Sequence, residues 1–573
     1  MNKNTLTKYP RIVNLLMGTA FIFLVATIAH FLFSHLGFNP TDDGFILAGS
    51  RRILDGQIPH RDFISIRPAG SHFLHIPFVL FGGDYVFLVS RYFVWIQFAS
   101  IAWIWTVVTA RAFKIFSNWV EKFAIALVVF SFSAHYSPIM AWHTIDALFL
   151  TSVGIILCHK QSWLAKLFGY IFIGMAPLCR LNFLPMIPVV ILLLNDRRQK
   201  RFWLTGSIPL AVYAVYLVIN GAASDAILQL SAYTNVLSVG VMSYVKTWTV
   251  PWGILTGALA ASMAYNALDF KRLSNTATWL RLLGRLILFG IPLAAAWSLA
   301  GGRYLWGASF GIFGAVVGAT IYFIAKEQKL SRHIRCGLLI ICLAWCTSIS
   351  LGYPTPALAT GPLILFLIAC GQSSYRVPSG DKVSGKSKCS LIYRFLHPEG
   401  LRKLVNVQVI LLAIISLAAF GIARENYIYR EQSASNLNQN LDGVLPGARL
   451  IKTNGNTYNF LIDLKDAKDI AKSEGKNYCI IPDVAANWVR SSQCNPLSID
   501  WPQSTELGKQ ELTDRVIRDM EAYRGRTIII VQKYEAYSLA SGFIPLSDSY
   551  IVVHFVRSNF SKTGETKFFE LYE

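Results

Sequence analysis

Two carboxylates stand side by side at Asp42 and Asp43, and a third follows at Asp62. Between and after them come Arg51, Arg52, His60, Arg61 and Arg67. A carboxylate that is partly desolvated, with its pKa held near the task, can act as a general base. Arginine holds phosphate through two parallel hydrogen bonds. These residue types therefore suit proton removal from a hydroxyl or amine beside a bound phosphate. Their spacing has a local logic. Phe45, Leu47, Ala48, Ile53 and Leu54 are apolar at helical intervals, so a short helix is expected to follow the acid pair and run to Leu54. The turn Gly56-Gln57-Ile58-Pro59 then brings the chain back to Asp62. The same residues also fit a plainer description, with solvated loop charges and Asp42 or Asp43 capping the helix.

Further candidates lie along the chain. Tyr136, Trp142, His143 and Asp146 precede an apolar run. There an acid can align a substrate, or cap a span among interface aromatics. Arg180 and Asn182 sit between two apolar runs with no other charge nearby. An arginine at such depth is costly and marks a functional position by default. It could meet a lipid phosphate or form a structural ion pair with Asp146. Arg303 and Tyr304 after a Gly-Gly pair, and Tyr353 in the turn Gly352-Tyr353-Pro354, could rim a cavity or simply form turns. Tyr244 and Lys246 could touch phosphate, although a snorkelling lysine explains them as well.

One motif is refused. Gly380-Asp381-Lys382-Val383-Ser384-Gly385-Lys386-Ser387 fits the phosphate-loop pattern letter for letter. That chemistry needs a buried strand before the loop and a helix N-terminus after it. Ser373-Ser374-Tyr375-Arg376-Val377-Pro378 is no such strand. The match sits in a polar Gly/Ser/Lys-rich stretch that reads as a cytoplasmic loop. Of the nine cysteines, Cys479 and Cys494 alone fall in the C-terminal region. On an extracytoplasmic side they could pair as a disulfide, or remain two thiols. The other seven show no zinc-ligand spacing.

The elements that must carry these residues are membrane spans. Of 573 residues, 54% are hydrophobic and only 15% charged, well below the roughly 25% charged of typical globular proteins. Mean hydropathy is +0.44. Disordered, collagenous and disulfide-scaffold classes are excluded. The net charge of +21 is not spread evenly. Residues 423–573 carry 18 Lys and Arg against 19 Asp and Glu, so the whole excess lies in the first 422 residues. It falls in short loops between apolar runs, which is how a multi-span protein records its orientation. Nucleic-acid binding is set aside on that ground.

The first apolar run, residues 12–33, follows Lys3, Lys8 and Arg11 and reads as a retained span with a cytoplasmic N-terminus. Counting crossings between basic clusters gives about 13 spans, the last over residues 405–422. An odd count places the C-terminus outside. The expected architecture is a polytopic α-helical membrane domain over residues 1–422, with residues 34–84 as its first outside loop, followed by a soluble extracytoplasmic α/β domain over residues 423–573. In that domain, helical spacing at 462–472 and 506–523 alternates with strand-like runs at 478–481, 527–531 and 550–556.

The stretch from Thr41 to Gly70 resembles the first extracytoplasmic loop of GT-C fold, polyprenyl-phosphate-sugar-dependent glycosyltransferases. It is nearest the bacterial relatives of protein mannosyltransferases, aminoarabinose transferases and RgtA/B/C/D-like enzymes. The resemblance rests on Asp42-Asp43, the helix to Leu54, Gly56-Gln57-Ile58-Pro59, His60-Arg61-Asp62-Phe63 and Pro68-Ala69-Gly70. It departs at His60, where tyrosine is usual, at Ala69, where a second proline is usual, and at Asp43, where glutamate is commoner.

The resemblance implies a transferase that moves a sugar from a polyprenyl-phosphate donor to a glycan, lipid or protein acceptor in the bacterial plasma membrane. Asp42 would be its catalytic base, and Asp43 and Asp62 the further acids. Arg51, Arg52, His60, Arg61, Arg67, His143, Asp146, Arg180, Asn182, Arg303 and Tyr353 are the candidate substrate contacts. Some relatives use Mg²⁺ or Mn²⁺, which Asp42, Asp43 and Asp62 could hold, and some use none. The C-terminal region would handle the acceptor or cover the cavity. A multi-span transporter or flippase of lipid-linked sugars is the alternative. It would more often show two symmetric halves with little outside mass.

Overall fold

The computed structural model describes residues 10–116, 118–135, 139–232, 242–244, 290–302, 305–327, 329–349, 354–373, 398–504 and 506–573. Tyr136, Lys246, Arg303, Tyr304, Tyr353, the 380–387 motif and Cys389 lie outside them.

The chain opens with α1 (Pro10–Phe33), an apolar run with proline at its first position, where the missing N–H costs nothing. After a short crossing come α2 (Asp42–Leu54) and α3 (Gly70–Phe81). Next is α4 (Val86–Phe113), which Lys114 closes in the left-handed region with its N–H on the Ala110 carbonyl. Then follow α5 (Trp119–Ala134), α6 (His143–Cys158), α7 (Trp163–Cys179), α8 (Met186–Leu193), α9 (Lys200–Ile219) and α10 (Ala223–Ser231). Beyond these lie α11 (Gly290–Ala300), α12 (Trp306–Glu327), α13 (Arg332–Ser348), α14 (Thr360–Ser373) and α15 (Pro398–Asn426).

Among the described residues, five helical segments are long and apolar enough to cross a membrane: Val13–Phe33, Gly83–Phe113, Lys200–Ile219, Gly307–Glu327 and Val407–Asn426. Six other apolar helices are shorter. At about 1.5 Å per residue these do not reach across a hydrocarbon layer of about 30 Å alone. The loop-to-loop tally of about 13 also takes in residues 245–289, which lie outside the described residues. Large apolar side chains stay exposed on the long helices. Leu15, Leu16, Phe31, Val212, Val215, Ile414 and Ile415 are examples. Such contiguous apolar faces suggest lipid rather than water as their surroundings. The helical core centres on α4, which packs against α1, α5 and α6.

The C-terminal part is α/β. A four-stranded sheet runs in the order β3 (Asn477–Ile481), β4 (Thr527–Gln532), β6 (Phe569–Tyr572), β5 (Lys562–Glu565). The β3–β4 pair is parallel and the other pairs antiparallel. Period-two alternation divides its faces. Ile480, Ile528 and Ile530 point to one core, and Cys479, Ile481, Ile529 and Val531 to the other. A two-stranded ribbon, β1 (Gln439–Asn440) with β2 (Lys452–Thr453), lies ahead of α16 (Gly455–Ser473). Helix α17 (Gln510–Ala522) makes the parallel crossover.

One expected strand is corrected. Residues 550–556 do not form a strand: Tyr550 precedes helix α18 (Ile551–Asn559), and residues 551–556 lie within it. The β-branched run suggested extended chain, yet Val552, Val553 and Val556 are buried together at helical spacing. The sheet positions are taken by β5 and β6 instead. Cys479 is buried and Cys494 exposed, and both are free thiols rather than a disulfide.

Both cores of the C-terminal part extend into the first loop. Phe38, Ile46, Leu47, Ala48, Val86 and Phe87 share one with Ile480 and Ile528. Ile64 and Ile66 join the other. Gly44 shows how tight the seam is, because a Cβ there would stand 2.0 Å from the Ala486 backbone nitrogen.

Candidate functional site

Helix α2 begins with the acid pair, and its first turn is fastened to three other segments. Thr41 Oγ1 donates to Asp483 Oδ1 at 2.8 Å. Asp42 accepts from the Tyr429 hydroxyl at 2.8 Å and pairs with Arg430 at 2.9 Å. Asp43 pairs with Arg91 at 2.8 Å and accepts the Asn39 N–H at 2.9 Å. Arg91 also donates to the carbonyls of Ser34 and Gly37. The two neighbours thus have different work. Asp43 is locked in a buried ion pair that closes the chain crossing before α2. Asp42 faces the junction with the C-terminal part.

At that junction the pair of acids that matters is Asp42 and Asp483. Both are buried, at 1% and 2% exposure. Asp483 follows β3 and takes hydrogen bonds from Thr41 and the Gln503 amide. Burial raises the Asp42 carboxyl above its ordinary value, against the opposing pull of Arg430 and the Tyr429 hydroxyl. Burial also pushes Asp483 up to about 7, helped by the charge of Asp42 and countered by its hydrogen bonds. Arg430 acts on both carboxylates, and its guanidinium lies over the rings of Tyr429 and Tyr537 at 5.3 and 5.4 Å.

A second cation approaches from the far end of the loop. Arg67 pairs with Glu506 at 2.7 Å and lies 5.4 Å over the Phe45 ring. Phe45 packs edge-on against Trp501 at 4.7 Å and His143 at 5.7 Å. His143 is buried, and neither ring nitrogen has a hydrogen-bond partner. Behind it, Asp146 accepts from His75 at 3.1 Å and Gln97 at 2.8 Å, and its second oxygen has no partner. Buried polar groups left unmatched cost free energy. Arg180 donates to the Thr144 hydroxyl and the Ile349 carbonyl, and Asn182 to the same carbonyl. The Arg180–Asp146 ion pair is not formed.

The remaining candidates make their contacts within the protein. Arg52 grips both oxygens of Asp500 at 2.7 Å and also donates to Gln57 and the Leu497 carbonyl. Arg51 pairs with Asp55 one turn on. Arg61 and Asp62 pair with each other at 2.8 Å, and Asp62 also accepts the Ile58 N–H at 2.7 Å. These bonds hold the Asp62 carboxyl below its ordinary value, with the Arg61 hydrogen bond the largest cause. None of them brings Asp62 to Asp42. His60 is buried at φ +70°, its ring bonded to Gln229 at 2.9 Å and to the Tyr213 hydroxyl at 2.8 Å. It pins the loop to α9 and α10. Gly70 lets α3 start against α7, since a Cβ there would meet the Leu178 carbonyl carbon at 2.5 Å.

The residues that complete the junction and escape the loop motif are Arg91, Tyr429, Arg430, Asp483, Trp501, Gln503 and Glu506. One local signal existed for two of them, because Tyr429 and Arg430 come within four residues of the end of the last apolar helix at Asn426. No group of three or more His, Cys, Asp or Glu is gathered in metal-binding geometry among the described residues. Asp43 and Asp62 have their oxygens committed to Arg91, Asn39, Arg61 and Ile58, so the set Asp42, Asp43 and Asp62 does not fit a divalent ion. No family model, curated protein or solved structure matches the chain.

Proposed function

We propose that the chain is a membrane glycosyltransferase of GT-C type. It moves a sugar from a polyprenyl-phosphate donor to a glycan, lipid or protein acceptor of the cell envelope, with inversion. The observation that supports this most is the placement of Asp42. It is the first acid of the loop motif, it is buried in the junction, and it stands beside one cation and a second carboxylate. A base in a water-poor site with a raised pKa can take a proton near neutral pH.

In this reading the acceptor's O–H or N–H approaches the anomeric carbon with Asp42 on its hydrogen. The new bond to carbon forms as the carbon–oxygen bond to phosphate breaks, and the bonding electrons leave on the polyprenyl phosphate. The proton passes to Asp42. Negative charge grows on the departing phosphate, where Arg430 and Arg67 stabilise it more than the ground state. Phe45 and Trp501 supply flat apolar faces for a sugar ring, and His143 and Asp146 supply unmatched polar atoms for its hydroxyls. No step is routed through a metal.

The topology proposed with it is about 13 spans in a bacterial plasma membrane. The N-terminus is cytoplasmic, and the C-terminal part lies on the opposite side. The experiment compares surface-glycan masses from cells carrying the parent chain, a deletion, or Asp42→Asn at matched membrane abundance. Loss of one and the same sugar in deletion and variant is the expected result. Loss in the deletion with a normal glycan in Asp42→Asn removes Asp42 from the chemistry and returns weight to a transporter of lipid-linked sugars.

A further inference from the structure

Helix α4 has the candidate site near its first turn and a second ionic centre at its last. From Val86 to Arg111 the axis runs about 38 Å at about 1.5 Å per residue. At that far end Arg111, His159, Arg332 and Arg335 line a cavity of about 300 Å³, with Leu194 and Leu339 among its apolar walls. A second cavity of about 230 Å³ also includes Arg111 and adds Lys114 and Lys122. Among the described residues, no carboxylate lines either one.

Glu121 is buried beside Lys122 of the second cavity, and two further acids in this part of the molecule have other partners. Asp196 is held by Lys166 and by the Tyr170 hydroxyl, and Glu327 by His333. Arg335 uses its Nε–H on the Leu330 carbonyl, and His159 its Nδ1–H on the Ile155 carbonyl. The Leu330 carbonyl leaves the charge of Arg335 in place, while burial and the nearby arginines keep the His159 pKa below its ordinary value, so the cavity's positive charge comes from the arginines. Several like charges in a partly enclosed, partly apolar cavity repel one another more strongly than in water. An anion between them reverses that cost. The guanidinium fork is the side chain best matched to phosphate oxygens, and the leucines beside it favour an apolar chain over a wholly polar ion. The cavity also lies where long apolar helices end, the depth at which phospholipid headgroups sit.

We propose that this cavity binds the phosphodiester headgroup of an anionic phospholipid, with the start of an acyl chain against Leu194 and Leu339. The proposal does not depend on the transferase reading, because none of its residues belongs to the junction around Asp42.

The test uses the full chain purified in a nonionic detergent and titrated with fluorescent dioleoylphosphatidylglycerol. Dioleoylphosphatidylcholine and glycerol 3-phosphate are the comparison probes. Phosphatidylglycerol is expected to bind at least about tenfold more tightly than phosphatidylcholine, and the double variant R332Q/R335Q to lose at least about tenfold of that affinity. Equal affinity for the two lipids, or unchanged affinity in the double variant, overturns the proposal. Competition by glycerol 3-phosphate at equal concentration also overturns it, assigning the cavity to soluble phosphate esters. If the double variant does not fold, a photoactivatable phosphatidylglycerol on the parent chain decides. Labelling of peptides containing Arg111 or Arg332–Leu339 supports the site, and labelling confined elsewhere sinks it.

Discussion

Thr41 donates its hydroxyl hydrogen to Asp483 at 2.8 Å across 442 residues of sequence, while the next residue, Asp42, carries Arg430. Adjacent positions of one short motif are thus tied to two separate segments of the chain's last third. Two buried carboxylates share the influence of one guanidinium, and that arrangement fixes how the site responds to pH and to substitution.

Asp483 should give the fold a pH dependence of known sign. Its ordinary value of 3.8 rises to about 7 in the folded chain. Between those values the folded chain keeps a proton that the unfolded chain has released. Stability from this group is therefore greatest at low pH and falls as pH rises from 3.8 to about 7. In Asp483→Asn that component disappears. Thermal unfolding in detergent from pH 4 to pH 8 should show a variant that gains on the parent steadily across the window. An unchanged difference between the two at every pH would refute the assignment.

Arg430→Gln removes the cation beside Asp42. Arg430 is about a third exposed, so the loss should lie between the surface and buried limits, at about 1–3 kcal/mol. Much of that loss reflects a stranded carboxylate. The double variant with Asp42→Asn should therefore recover part of it, giving a coupling of at least about 0.5 kcal/mol. Simple additivity in unfolding measurements would contradict the pairing.

Neighbouring arginines should behave very differently. Arg52 is buried and holds Asp500, Gln57 and the Leu497 carbonyl, so Arg52→Ala should cost about 3–5 kcal/mol. Arg51 meets Asp55 near the surface, and Arg51→Ala should change stability by no more than about 0.5 kcal/mol. Parallel unfolding curves of the two variants make the comparison. Equal costs would mean that Arg52 does not hold the C-terminal part.

Gly44→Ala tests the seam itself. The added Cβ would meet backbone of the turn containing Ala486, which cannot rotate aside as a side chain can. The cost expected of such overpacking is at least about 1–3 kcal/mol. Limited proteolysis should cut the C-terminal part of the variant faster than that of the parent, and equal cleavage rates would show that the seam can widen.

What could be read in the sequence was local. The helix after Asp42 and strands β3 and β4 follow from spacing over a few residues, and the apolar helices from composition. The acid motif located one wall of the junction, but it could not separate Asp42 from Asp43. Their difference comes from Arg91 on one side and Arg430 on the other, and no spacing rule links those positions to the motif. Arg52, His60 and Arg61 looked like ligand contacts because their types are right. Their partners are Asp500, Gln229, Tyr213 and Asp62, three supplied by folding and one by a neighbouring residue. The run at 550–556 misled for a simpler reason: valine favours strands on average, and packing outweighed that preference.

The core shared by Ile46, Leu47 and Phe87 with Ile480 and Ile528 also sets an order of assembly. During synthesis the first loop emerges hundreds of residues before the strands that cover it. Until β3 and β4 arrive, its apolar side chains have no partner and Asp42 has no Arg430. Closure of so long a contact is entropically slow and comes last. The chain therefore assembles its apolar helices around an open first loop, and the environment that raises the Asp42 pKa comes into being only when the segments carrying Arg430 and Asp483 dock.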